Sequence, residues 1–232
     1  MIALRSGLFL LWFFVISAAM HVALLPALLF PRREAVAVSK LWARITFFGL
    51  KWIVGLDFTV RGRKFIPENA ALIASKHQST WETLAFTALL KDPATVHKRE
   101  LLWIPLFGWF LRKLQMIAID RKSGAGAIRK MSRAATQALN DGRQIVIFPE
   151  GTRRKPGAPP QFKPGVAALY AELNVPCVPV ALNSGAYWTG FLKYPGTIII
   201  EFLPPIPGGL GRADFMRRLE ETIEQNSNQL LK

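Results

Sequence analysis

The chain has 232 residues, enough for one sizeable core plus an anchor, and its single cysteine, Cys177, excludes an intramolecular disulfide and suits a reducing compartment. Its 30 basic and 15 acidic residues give a net charge of +15, which favours a polyanionic partner: nucleic acid, an anionic membrane or an acidic protein. Apolar residues make up 51%, high for a soluble domain, and 3 scattered histidines with one cysteine form no metal-ligand set.

Residues 7–30 contain no charged side chain, a run long enough to span a bilayer, with Pro26 as a site for a kink. Arg32, Arg33, Lys40 and Arg44 follow it, against Arg5 before it, so the positive-inside rule places the rest of the chain in the cytoplasm. Residues 40–56 are apolar and aromatic but carry Arg44 and Lys51. With Trp42 and Trp52 they read as a helix lying in the membrane interface, an ordinary core helix being the alternative. Residues 1–56 are therefore expected to form N-terminal membrane-anchoring helices, and residues 57–232 the folded domain.

From Asp57 the pattern becomes α/β. Residues 58–62 predict a short strand and turn, and residues 72–75 a buried strand. His77 comes directly after it, and Ser79-Thr80-Trp81-Glu82 has the form of a capping box opening a helix over 81–90. Five residues on a regular helix turn about 500°, so His77 and Glu82 meet only if His77 sits in the turn and Glu82 in the first helical turn. Glu82 then has two compatible roles, capping the helix and holding the His77 imidazole in one tautomer so that its other nitrogen is free as a base. Residues 94–97 predict a strand leading to Lys98-Arg99-Glu100-Leu101; His97 lacks a carboxylate at useful spacing and reads as incidental. Residues 103–111 are densely aromatic and fit an acyl-chain path, a membrane face or plain core. A strand over 115–119 ends in Asp120-Arg121, and an amphipathic helix fills 124–139.

Residues 144–148 form an apolar strand that runs into Pro149-Glu150-Gly151-Thr152-Arg153, followed by a basic, proline-rich loop over 153–161. A helix opens at 162–165, strands are expected at 177–182 and 197–202, and a charged helix at 211–231. Alternating strands and helices of this kind predict an α/β layered domain with a mixed, largely parallel sheet.

His77 with Glu82, then Phe148-Pro149-Glu150-Gly151-Thr152-Arg153, resemble the His-x4-Asp and Phe-Pro-Glu-Gly-Thr-Arg motifs of the lysophosphatidic acid acyltransferases (1-acylglycerol-3-phosphate O-acyltransferases). The second motif is matched in full; the first departs at Glu82, where the family usually has Asp. Ile119-Asp120-Arg121 resembles an intermediate block of that family and Val178-Pro179-Val180 a weaker last one. The resemblance implies a sheet flanked by helices and acyl transfer to the sn-2 hydroxyl of 1-acylglycerol 3-phosphate, giving phosphatidic acid. The co-substrate would be acyl-CoA or acyl carrier protein, with no resident cofactor and no metal. His77 is then the general base and Glu82 its orienting partner, with direct attack and no acyl-enzyme. Arg153 and Arg121 are expected to clamp the phosphate, since guanidinium meets phosphate oxygens in two-point fashion. Lys98 resembles the lysine of the family's Lys-x-Glu-Leu segment, near the phosphate. Thr152 and the Gly151 amide are candidates to hydrogen-bond phosphate or oxyanion, and Glu150 to position Arg153 or its loop.

A nucleic-acid binder would explain the charge but not the uncharged start or the two motifs. A serine hydrolase using Ser79 lacks a nucleophile-elbow context. An acyltransferase acting on glycerol 3-phosphate or another lysolipid uses the same motifs and stays as the alternative. The expected partners are thus lysophosphatidic acid, the acyl donor and an anionic membrane surface, with no nucleic acid.

Overall fold

The computed structural model describes residues 1–120 and 124–232. Its strands are β1 (Leu56–Arg61), β2 (Ala71–Ser75), β3 (Pro93–Lys98), β4 (Ile117–Ile119), β5 (Gln144–Ile147), β6 (Cys177–Leu182), β7 (Trp188–Thr189), β8 (Leu192–Lys193) and β9 (Gly196–Phe202). β7 and β8 pair only with each other; the rest form one seven-stranded sheet in the order β1-β9-β6-β2-β5-β3-β4. Pairing is parallel from β6 through β2, β5 and β3 to β4. β9 runs antiparallel to β6, and β1 runs parallel to β9. The sheet is therefore mixed and largely parallel.

Strands β2, β5 and β6 are buried at every residue, which is why they read as unbroken apolar runs. Successive side chains go to opposite faces. Ile73, Val146 and Val178 enter a core with Trp81 and Phe86 of α3 (Trp81–Leu89), Phe47 of α2 (Arg32–Gly49) and Phe9 of α1 (Ile2–Ala23). Leu72, Ala74, Ile145 and Ile147 enter a second core with Met131 of α5 (Gly124–Asn140), Tyr170 of α6 (Gly165–Leu173) and Leu219 of α8 (Arg212–Gln229). Two short helices, α4 (Phe107–Lys113) and α7 (Ser184–Tyr187), lie in connections. The chain leaves β2 through α3 on the first face and leaves β5 through α6 on the second. The connections from the neighbouring carboxyl ends of β2 and β5 therefore go to opposite faces, the kind of position where open α/β sheets take their ligands.

The uncharged N-terminal run is not one continuous helix. α1 stops at Ala23 and Pro26 stands in a 3-10 turn, Leu25–Leu28, because proline lacks the amide and fixes φ. α1 is long and apolar enough to cross a membrane, but one side of it lies on the protein. Phe9 is fully buried, the Lys193 amide donates to Ser6 Oγ at 2.9 Å, and Trp42 Nε1 donates to Ser17 Oγ at 3.0 Å. On the other side Leu4, Leu8, Leu11, Phe14 and Val15 are exposed. The stretch 40–56 is the second half of α2 and a π-turn, Leu50–Val54, stopped by Gly55 at a φ of 81°. Ala43, Phe47, Leu50 and Val54 face the core, whereas Leu41, Phe48 and Trp52 are exposed. One face of this stretch is thus core, and the other is an exposed apolar face.

Candidate active site

β2 carries its ladder one residue further, the Lys76 amide donating to the Val180 carbonyl at 3.0 Å, before the chain turns into α3. His77 lies in that turn and Glu82 in the first turn of α3, the arrangement their spacing requires. His77 Nδ1 is 2.9 Å from Glu82 Oε1, and the same oxygen accepts the amides of Gln78 at 2.6 Å and Ser79 at 2.7 Å. Glu82 Oε2 accepts the hydroxyls of Ser79 at 2.7 Å and Ser184 at 2.8 Å. Glu82 therefore caps α3 and holds His77 at once. Burial pushes the Glu82 carboxyl up, but the His77 hydrogen bond and charge and the Ser79 donors more than reverse this, so it lies below its ordinary value. A carboxylate only accepts, so His77 Nδ1 donates and Nε2 is left to take a proton. The imidazole stacks on Phe148, ring centroids 4.1 Å apart at 22°.

Phe148 is there because β5 is the parallel neighbour of β2, with Ala74 opposite Ile147. The chain then turns: the Gly151 amide donates to the Phe148 carbonyl at 2.9 Å, with Gly151 at a φ of 65°. That amide is consumed by the turn, which corrects its expected role as a donor to phosphate or oxyanion. The Arg154 amide donates to the His77 carbonyl at 2.8 Å, fastening the residue after Arg153 directly to His77. Arg153 and Thr152 are exposed. Arg154 folds over its own loop, donating to the Pro159 carbonyl at 2.9 Å and Gln161 Oε1 at 3.3 Å.

Glu150 points inward, and its ion pair is with Lys76, 3.0 Å away, rather than with Arg153; any hold it has on the loop runs through Lys76. Burial raises its carboxyl; Lys76 opposes this, Glu224 adds to it, and the His77 amide opposes it, leaving it above the ordinary range. Lys98 is exposed at the carboxyl end of β3, on the same sheet edge as His77 and Arg153. Arg121 lies outside the described residues, beyond the end of β4; Asp120 before it pairs with Arg99 at 3.2 Å. The edge thus gathers His77, Glu82, Thr152, Arg153 and Lys98. His97 stays apart, with Nδ1 2.8 Å from the Lys98 carbonyl. Ser79 is buried between Glu82 and Ser184 with no histidine against its hydroxyl, so it is no nucleophile.

Three participants were not singled out from the sequence: Phe148 as the stacking partner, Ser184 on the carboxylate and Lys76 on Glu150. Phe148 was legible as a motif residue at a strand end. Ser184 reaches Glu82 across 102 positions, and no local pattern marks it.

The acyltransferase family matches residues 57–183. A 1-acyl-sn-glycerol-3-phosphate acyltransferase of Pseudomonas aeruginosa is 39% identical over 181 residues, covering 77% of this chain and 70% of that protein. The 1-acyl-sn-glycerol-3-phosphate acyltransferases alpha of mouse and human are 32% identical over 171 residues, and the matched stretch spans 59% and 60% of their lengths. Among solved structures, the 1-acyl-sn-glycerophosphate (LPA) acyltransferase PlsC of Thermotoga maritima has the same fold. Its TM-score is 0.82 over 99% of this chain and 98% of that one, at 22% identity. With its motifs on one sheet edge and its sequence matched from β1 to β6, the chain belongs to the acyltransferase family, among the 1-acyl-sn-glycerol-3-phosphate acyltransferases.

Proposed function

We propose that the chain transfers an acyl group from a thioester, on coenzyme A or acyl carrier protein, to the sn-2 hydroxyl of 1-acylglycerol 3-phosphate, giving phosphatidic acid. The observation that carries this reading is the backbone bond from Arg154 to His77, which sets an exposed arginine beside an oriented imidazole. Support comes from the names of the relatives above.

His77 Nε2 takes the hydroxyl proton as the oxygen attacks the thioester carbonyl. The C–O bond forms, the C–S bond breaks, and the imidazolium returns the proton to the departing thiolate. Glu82 keeps the ring aligned and stabilises its transient charge. Arg153, Lys98 and Arg121 hold the phosphate, with Thr152 as a further donor. No metal and no resident cofactor enters these steps. The domain acts at an anionic membrane, on its cytoplasmic side; the exposed apolar face of α1 and the net charge of +15 support contact with such a surface.

The test is an acceptor panel of lysophosphatidate, glycerol 3-phosphate and lysophospholipids with larger headgroups, each with both donor types, scored by labelled acyl transfer. Lysophosphatidate is expected to be the preferred acceptor, and His77→Ala to lose ~10²–10⁴ in rate while remaining folded. Preference for glycerol 3-phosphate would move the chain to the alternative substrate. Near wild-type turnover in His77→Ala would remove the base.

A further inference from the structure

The loop that carries Arg153 is fastened at both ends to two successive residues. On the outside the Arg154 amide donates to the His77 carbonyl at 2.8 Å. On the inside Lys76 Nζ donates to Glu150 Oε1 at 3.0 Å. Between these fastenings stand Gly151, Thr152 and Arg153. The inner pair is almost wholly out of water, the Lys76 and Glu150 side chains being 2% and 0% exposed. An ammonium and a carboxylate are costly to bury and persist only where their contacts compensate. Lys76 has one more partner, Glu224 Oε1 at 2.5 Å, on α8 and beyond the region matched by the family. That second carboxylate is 15% exposed. The ammonium's two ionic partners are Glu150 and Glu224, and its side chain is 2% exposed.

We propose that Lys76 is a positioning residue for the acyl transfer, its buried ion pair with Glu150 setting where Arg153 stands beside His77. The inference rests on the reading of Arg153 as the phosphate clamp and adds to it the device that places the clamp. Glu224 secures the ammonium from the other side and is not needed to hold the loop. Without the inner ion pair, residues 151–153 are left with the turn closed by the Gly151 amide, the His77 amide on Glu150 and the Arg154 backbone bond, so Arg153 samples more positions and acceptor binding suffers before the chemistry does.

Lys76→Met and Glu150→Leu break the pair from either side, and Glu224→Gln removes only the other partner. Hydrogen exchange over residues 149–163 and steady-state constants for each substrate are measured in all three. In the first two, loop exchange is expected to quicken about ten-fold and the acceptor KM to rise about ten-fold, with the donor KM within about two-fold. Glu224→Gln should match wild type in both readouts. The double variant Lys76→Met/Glu150→Leu should be no worse in KM than the poorer single, since the two act as one unit. Should Lys76→Met fail to fold, Glu150→Leu alone carries the comparison, because Lys76 keeps Glu224. Unchanged loop protection in Glu150→Leu, or equal loosening in Glu224→Gln, would overturn the proposal. Exchange needs no substrate. A loosened loop in an enzyme that ignores lysophosphatidate would therefore sink the substrate reading and leave the fastening in place.

Discussion

Glu82 is one methylene longer than the aspartate usual in its motif, and its two oxygens receive a ring nitrogen, two amides and two hydroxyls. Shortening it to Asp keeps the charge and loosens those contacts, whereas Ala removes the acceptor that all five donors share. Glu82→Asp is expected to keep substantial turnover and Glu82→Ala to lose most of it; a loss of stability alone in Glu82→Ala would reduce Glu82 to a helix cap. The carboxyl sits below its ordinary value of 4.5 in the folded protein. Its contribution to stability is therefore present above pH 4.5 and is lost as pH falls through the lower folded value. The stability difference between wild type and Glu82→Gln, from denaturant titrations at a series of pH values, should shrink over that acid range and stay level above it. The pairing of His77 with Glu82 was legible because its five-residue spacing forces a turn followed by a helix start. The other half of the carboxylate's environment was not, since Ser184 arrives from the far side of β6.

At the scale of elements, the long buried strands announced themselves as apolar runs, but the β7–β8 hairpin did not, because two-residue strands have no period to read. Its last residue, Lys193, is 1% exposed and forms no ion pair among the described residues. Nζ donates to the carbonyls of Gly190 at 2.9 Å and Phe191 at 3.0 Å and lies 4.9 Å from the Trp188 ring. Burial pulls it down from 10.5 to about 8. Between those values the unfolded chain binds the proton and the folded one does not, so stability should rise with pH across that window. Lys193→Met should be flat there relative to wild type, as thermal unfolding at stepped pH would record; parallel curves would mean that the amine stays solvated.

At the scale of the whole molecule, α1 turns an apolar face outward while its other face joins the core. The uncharged run is long enough to span a bilayer and is interrupted near Pro26 as its sequence allowed, but Phe9 is core and Trp12 and Phe13 pack on it. Deleting the run would open the core; charging its outer face would not. Leu11→Glu with Phe14→Glu, both exposed, should therefore leave thermal stability within a few degrees and reduce co-sedimentation with anionic vesicles several-fold; undiminished binding would assign attachment to the basic surface alone. The parallel sheet has a further consequence, for the order of assembly. His77 and Glu82 are neighbours in the chain, but Lys76 waits for Glu150, 74 positions on, Glu82 waits for Ser184, 102 on, and Lys76 waits again for Glu224, 148 on. Distant pairings of this kind form late and slowly. A nascent chain thus carries His77 and Glu82 long before their distant partners can hold them in place. A half-made chain has its imidazole and carboxylate close in sequence, but their buried partners come only with β5 and with the residues after β6.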